Sequence, residues 1–129
     1  MALNDLLSNA LSHILNSERS HKQECLVKSS KLIRGVLELL QAHHYIGGYS
    51  AVEDGRGGIL RVNLLGQINR CGSIKPRFAV GKFGFERFEK SILPAKDFGI
   101  LVVSTPQGLM THTEAKKRNM GGKLIAYCY

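Results

Sequence analysis

The run Phe98 to Thr105, Phe-Gly-Ile-Leu-Val-Val-Ser-Thr, ends against Pro106-Gln107-Gly108. β-Branched and apolar side chains fit a pleated surface better than a helix, so the run reads as a buried strand, with Pro and Gly turning the chain at its end. Its apolar stretch, Gly99 to Val103, is cut off by Ser104 to Gln107 and falls far short of the roughly 20 residues a membrane-spanning helix needs. A membrane protein is therefore not expected. At 129 residues the chain must bury this strand in one compact domain or in two small lobes; it is too short for two large domains.

Upstream of the strand, apolar periodicity predicts helices. Leu6, Leu7, Ala10, Leu11, Ile14 and Leu15 recur at three- and four-residue intervals, which predicts an amphipathic helix over residues 4 to 16 with Asn4 as N-cap. Glu24 to Lys28 reads as a short extended piece. Ser29 or Ser30 then caps a second helix running to about His44, with Leu32, Ile33, Val36, Leu37 and Leu40 as its buried stripe. Tyr45 to Glu53 and Gly58 to Leu65 pair as a hairpin around Asp54-Gly55-Arg56-Gly57, residues that tolerate positive φ.

Gly66 to Gly72 is a polar loop, and Cys71 to Val80 is a strand that Pro76 interrupts. Phe85, Phe88 and Ile92 predict a short helix over Phe83 to Leu93 that Pro94 ends. Beyond the central strand, Thr111 and Glu114 form a capping box that starts another short helix near His112. Gly121-Gly122 ends that helix, and Lys123 to Tyr129 is a last strand. The expectation is an α+β fold of two small lobes: a helix, strand, helix, hairpin unit over 1–66 and a mostly β lobe with short helices over 67–129.

Charge separates the two halves. Up to residue 60, six cations (Arg19, Lys22, Lys28, Lys31, Arg34, Arg56) meet six anions (Asp5, Glu18, Glu24, Glu38, Glu53, Asp54). From residue 61 onward twelve Lys and Arg face only Glu86, Glu89, Asp97 and Glu114, so the whole net charge of +8 lies in the C-terminal half. A basic excess confined to one half points to a polyanionic partner.

The residues that would meet such a partner lie in Ser104-Thr105-Pro106-Gln107-Gly108-Leu109-Met110-Thr111, a hydroxyl-rich turn that leaves the central strand and feeds a helix start. Hydroxyls can bond phosphate, ribose 2′-OH or base edges, a Gly lets backbones come close, and free N–H groups at a helix start favour negative charge. Lys116, Lys117 and Arg118 follow on the same short helix and add long-range attraction. A Ser-Thr turn alone is ordinary turn chemistry; beside the charge split it is a candidate RNA contact.

Taken together, FGILVVST, PQGLMTHTEA and GGKLIAYCY resemble the C-terminal signature of the universal small-subunit ribosomal protein family numbered eight, and the likeness runs over essentially the whole chain. Asp5, Asn9, Leu11, Ile14 and Asn16 are similar to that family's opening helix, Ser29-Ser30-Lys31 to its second-helix start, and Tyr45-Ile46-Gly47 to that helix's end. Gly66 to Gly72, Pro76-Arg77-Phe78 and Leu93-Pro94 resemble the eukaryotic cytosolic branch, the fifteen-a branch, more than the bacterial one.

The resemblance implies a two-lobed fold that binds a helical junction in the central domain of small-subunit rRNA, with neighbouring small-subunit ribosomal proteins as further partners. It implies contacts at Ser104, Thr105, Gly108, Met110 and Thr111, and weaker ones at Asp5, Ser12, Asn16, Ser30 and Lys31. Duplex RNA is read through 2′-OH groups and shape across a shallow minor groove, which suits a short hydroxyl-bearing turn. Pro106 stands where many members carry Ser or Thr, and Lys123 replaces an acid that bacterial members often carry after Gly-Gly; Lys123 adds a further cation for phosphate.

An enzyme needs a nucleophile with its base, a carboxylate pair or clustered metal ligands, and the sequence groups none of these. Cys25, Cys71 and Cys128 are widely spaced and read as reduced thiols. His43-His44 reads as a helix end in contact with the last carbonyls, and His112 as a solvated side chain or an RNA contact. Gly55-Arg56-Gly57-Gly58 has no Lys-Ser/Thr after it, so it is a hairpin loop and not a phosphate loop. No catalytic activity, cofactor, metal or small-molecule substrate is expected. The N-terminus shows neither a secretory nor a transit signal, so a cytosolic ribosome is the expected location. The alternative is an RNA-binding regulator or assembly factor acting off the ribosome.

Overall fold

The computed structural model describes residues 6–52, 58–74, 77, 79–81, 83–95 and 98–129. The chain divides into two compact units, Met1–Cys71 and Gly72–Tyr129. With four helices and two antiparallel sheets among the described residues, the fold is α+β.

The first unit runs α1 (Leu6–Arg19), β1 (Glu24–Lys28), α2 (Lys31–Ala42), β2 (Ile46–Val52) and β3 (Ile59–Leu64), with sheet order β1-β3-β2. The register sets Cys25 opposite Val62 and Val27 opposite Leu60, and these alternate residues are buried. Onto that face the helices bring Leu7, Ala10, Leu11 and Ile14 of α1 and Ile33, Val36, Leu37 and Leu40 of α2, all buried at helical spacing. Leu6 lies outside this stripe and is exposed. Ser30 is the N-cap of α2, its hydroxyl accepting from Ile33 N at 3.1 Å. Asn4 and the Asp54–Gly57 loop lie outside the described residues.

Three helices end on a non-glycine residue in the left-handed region: His21 (φ 59°), His44 (φ 64°) and Asn119 (φ 54°). Each closes a Schellman pair. After α2, for example, His44 N donates to Gln41 O at 3.0 Å and Tyr45 N to Leu40 O at 2.9 Å. Backbone geometry, not the expected side-chain contact with carbonyls, is therefore what His44 contributes. The α1 closure falls three residues beyond the expected end at Asn16.

Glu18, in the last turn of α1, is buried, and its carboxylate accepts from Gly66 N at 3.1 Å and Ile68 N at 3.0 Å. That pins the segment after β3 to α1 and buries Ile68. The loop expected to separate the lobes at 66/67 is thus part of the first unit. Burial pushes the Cys25 thiol up to about 11 and the Cys71 thiol up to about 12. Both stay protonated near neutral pH, the inert form of a cysteine.

The second sheet starts with β4 (Cys71–Ser73), whose first residue closes the first unit, and continues in the second unit with β5 (Ala79–Val80), β6 (Ile100–Thr105), β7 (Gly108–Thr111) and β8 (Gly122–Cys128), in the order β4-β8-β6-β7 with β5 on β8; α3 (Phe85–Ile92) and α4 (His112–Lys117) belong to the same unit. The expected buried strand is β6, central in this sheet and buried at every position except Ser104. β7 was not expected: four residues are too few to leave a periodic signal, and the chain pairs back on β6 before the helix begins. One core gathers Ile74, Val80, Phe85, Leu93, Leu101, Val103, Met110, Ala115 and Leu124, so α3 and α4 cover the face to which Leu101 and Val103 point. No helix among the described residues is long and apolar enough to cross a membrane.

Candidate nucleic-acid interface

Because successive side chains of a strand alternate between faces, Ser104 points away from the core that holds Val103. Its register partners are Leu109 on β7 and Lys123 on β8, and Lys123 in turn faces Ala79 on β5. Residues directly opposite share a face, so Leu109, Ser104, Lys123 and Ala79 form one row across four strands. Ser104, Lys123 and Ala79 are exposed and Leu109 is half-buried. The row therefore places a free-standing hydroxyl beside an ammonium on a solvent face.

The hairpin beyond this row is held from inside. Thr105 is 8% exposed; its hydroxyl donates to Gly108 O at 2.8 Å and accepts from Gln107 N at 3.2 Å. Pro106 at the first corner and Gly108 at φ +113° let a two-residue turn close. Pro106, Gln107 and Gly108 stand exposed at the tip. Arg118, the C-cap of α4, reaches that tip: Nη1 donates to Gln107 Oε1 at 3.1 Å and Nε to Glu114 Oε1 at 3.0 Å. Lys123 comes from the sheet's solvent face and Arg118 from the helical layer, so cations flank the hairpin on both sides.

The row exists because β8 starts on two glycines. A Cβ on Gly122 would sit 2.3 Å from Ser104 O, and one on Gly121 would sit 2.5 Å from Val80 O. Gly121-Gly122 was expected to end α4. Asn119 does that, and the glycines instead allow β8 to lie close between β6 and β5.

Beneath the hairpin lies a buried charged group. His112 is 0% and Glu89 2% exposed. His112 Nδ1 accepts from Leu101 N at 3.1 Å, which leaves the ring proton on Nε2, 3.6 Å from Glu89 Oε2. Lys116 Nζ forms an ion pair with Glu89 Oε1. His112 is therefore a core residue, and the expectation of a solvated or RNA-touching imidazole is corrected.

The expected contacts divide accordingly. Ser104, Gly108, Arg118 and Lys123 come together at one end of the sheet, and Lys117 is exposed on α4. Met110 lies in the core. Thr111 is 4% exposed; its hydroxyl caps α4 by accepting from Glu114 N at 3.3 Å and lies 3.0 Å from the Thr113 hydroxyl. With Thr111 and His112 buried, the start of α4 is not offered to an anion, contrary to expectation. The capping box is half made, since the Glu114 carboxylate turns to Arg118. Lys116 is committed to Glu89.

In the first unit Ser12, Asn16 and Lys31 are exposed and Ser30 is half-buried at its cap, while Asp5 lies outside the described residues. Sequence reasoning missed Gln107 and Glu89. Gln107 sits in the turn and holds Arg118, but its type alone gives no signal; Glu89 looked like one more surface acid on α3. Among the described residues no group of three His, Cys, Asp or Glu could hold a metal ion.

Residues 5–129 match the family model described as ribosomal protein S8. The match covers both units, including the hydroxyl-bearing end of β6 and the Gly-Gly start of β8. The chain belongs to the ribosomal protein S8 family, rRNA-binding proteins of the small ribosomal subunit that serve translation.

Proposed function

We propose that this chain is a structural constituent of the small subunit of cytosolic ribosomes, gripping the central domain of small-subunit rRNA with the end of its second unit that carries the β6–β7 hairpin. The observation that carries this reading is the exposed Ser104–Lys123 pair on adjacent strands. Ser104 can donate to a 2′-OH or phosphate while Lys123 neutralises the same backbone, a combination suited to shape readout of an RNA minor groove. Gly108 lets the RNA approach the turn, and Arg118 and Lys117 add charge. Thr105, Met110 and Thr111 shape the hairpin from within, and Lys116 anchors α4 through Glu89. Ser12, Asn16, Ser30 and Lys31 of the first unit provide a second, weaker contact, to which Asp5, outside the described residues, is assigned by the family resemblance alone. Likeness in Gly66–Gly72 and Leu93-Pro94 favours the eukaryotic branch, and neighbouring small-subunit proteins complete the partners.

Ser104→Ala should weaken binding to a central-domain rRNA transcript by about three- to tenfold, since one hydrogen bond contributes roughly 0.5–1.5 kcal/mol. Lys123→Ala should reduce the slope of log affinity against log salt by about one. Wild-type affinity and slope in the double variant, measured by filter binding across a salt series, would overturn the proposal.

A further inference from the structure

We infer that β1 is a docking edge for a second copy of this chain, two β1 strands pairing antiparallel about Leu26 and joining the first-unit sheets of two RNA-free molecules. This contact is independent of the RNA-binding reading. β1 pairs with β3 alone and forms one edge of its sheet. Leu64 N donates to Gln23 O at 2.8 Å and Ser29 N to Gly58 O at 3.3 Å. Alternate residues of an antiparallel strand turn their backbone groups to the same side. Gln23, Cys25, Val27 and Ser29 therefore face β3, whereas Glu24, Leu26 and Lys28 present N–H and C=O to the open side. At the sheet's other edge, β2 is interrupted by a register shift between Ile46 and Gly48, while β1 keeps an unbroken register over its whole length. A bulge blunts an edge against further pairing, and a straight edge strand is a template for it.

The side chains of β1 fit a copy of themselves. Glu24, Leu26 and Lys28 are exposed and alternate with the buried Cys25 and Val27, so they share the face turned away from the helices. With two strands antiparallel and Leu26 at the two-fold axis, Glu24 of each copy falls opposite Lys28 of the other and the two Leu26 side chains meet. Every outward backbone pair is then matched by a charge pair or an apolar contact. Leu26 is 49% exposed in the single chain, and Leu6 of α1 is 39% exposed. Leu6, Ala10 and His13 of α1 and Leu26, Val27 and Lys28 of β1 line an open groove of about 190 Å³, so α1 leaves room beside the strand. Among the described residues this groove holds one Lys and no Arg, too little charge to draw RNA. A strand from another protein would need an acid opposite Lys28 and a base opposite Glu24, and a second copy carries that order by symmetry.

Sedimentation equilibrium of the full chain without RNA, from about 1 to 500 µM, should show monomers giving way to dimers, because so short an edge belongs with the small, transient protein interfaces. Glu24→Lys or Lys28→Glu sets like charges opposite each other at both ends of the strand pair and should weaken association by about tenfold. An equimolar mixture of these two variants brings opposite charges back together and should associate like wild type. Leu26→Pro removes an N–H that faces the open side and spares the pairing with β3; it should stay monomeric. Circular dichroism should show each variant folded. A wild-type chain that remains monomeric across the whole range would overturn the inference and leave the edge to a strand of another protein. Dimers that ignore both charge reversals, or variants that regain nothing on mixing, would put the contact elsewhere and overturn it as well. RNA binding by the chain is unaffected by any of these results.

Discussion

Glu89→Ala should lower the stability of the protein by about 3 kcal/mol, because removing one member of a buried charged group leaves the others without compensation. The carboxylate is 2% exposed between α3 and α4, paired with Lys116 and facing His112 Nε2 at 3.6 Å. Lys116, about a third exposed, can turn to water, which keeps the loss at the lower end of the range for buried pairs. His112 cannot, since Nδ1 is tied to Leu101 N in the middle of β6. Glu89→Gln preserves the shape and an acceptor and should cost about half as much. Urea unfolding followed by far-UV circular dichroism checks this; a Glu89→Ala midpoint within error of wild type would mean that the group contributes nothing to the fold.

Gly122→Ala is expected to be comparably damaging and to reach the binding surface as well. Its added methyl would meet backbone, Ser104 O at 2.3 Å and Ser104 C at 3.0 Å, as well as Val103 Cγ1 at 2.8 Å. The Ser104 backbone cannot rotate away, so β8 must move off β6; overpacking of this kind costs about 1–3 kcal/mol or more. Lys123 would leave its register opposite Ser104, so RNA affinity should fall along with the thermal midpoint. Gly81→Ala is the matched control, since its Cβ meets nothing within 4 Å. If Gly122→Ala melts and binds like Gly81→Ala, the close strand approach is not what builds the site.

Much of the architecture was legible because apolar periodicity reports burial directly. β1 was expected over its full extent, α2 and its Ser30 cap to within two residues, and β6 as the central buried strand. What escaped were features set by tertiary approach. β7 is a strand only because it pairs with β6, and Gly121-Gly122 looks like a helix stop in sequence yet serves strand packing. The candidate site was legible in residue type but not in orientation. Ser104 and Thr105 are adjacent hydroxyls in sequence, but strand alternation sends one to solvent and the other inward to lock the turn. Likewise Lys116 and Arg118 belong to one basic run, yet Glu89 claims the first and Gln107 with Glu114 orients the second.

The central claim is that one end of the second sheet meets the RNA. Amide chemical-shift mapping by NMR, comparing the free protein with its complex with the central-domain rRNA transcript, tests it most directly. The largest shifts should cluster at Ser104, Gln107, Gly108, Arg118, Gly122 and Lys123. Saturating RNA that leaves these amides unshifted while perturbing others would contradict it.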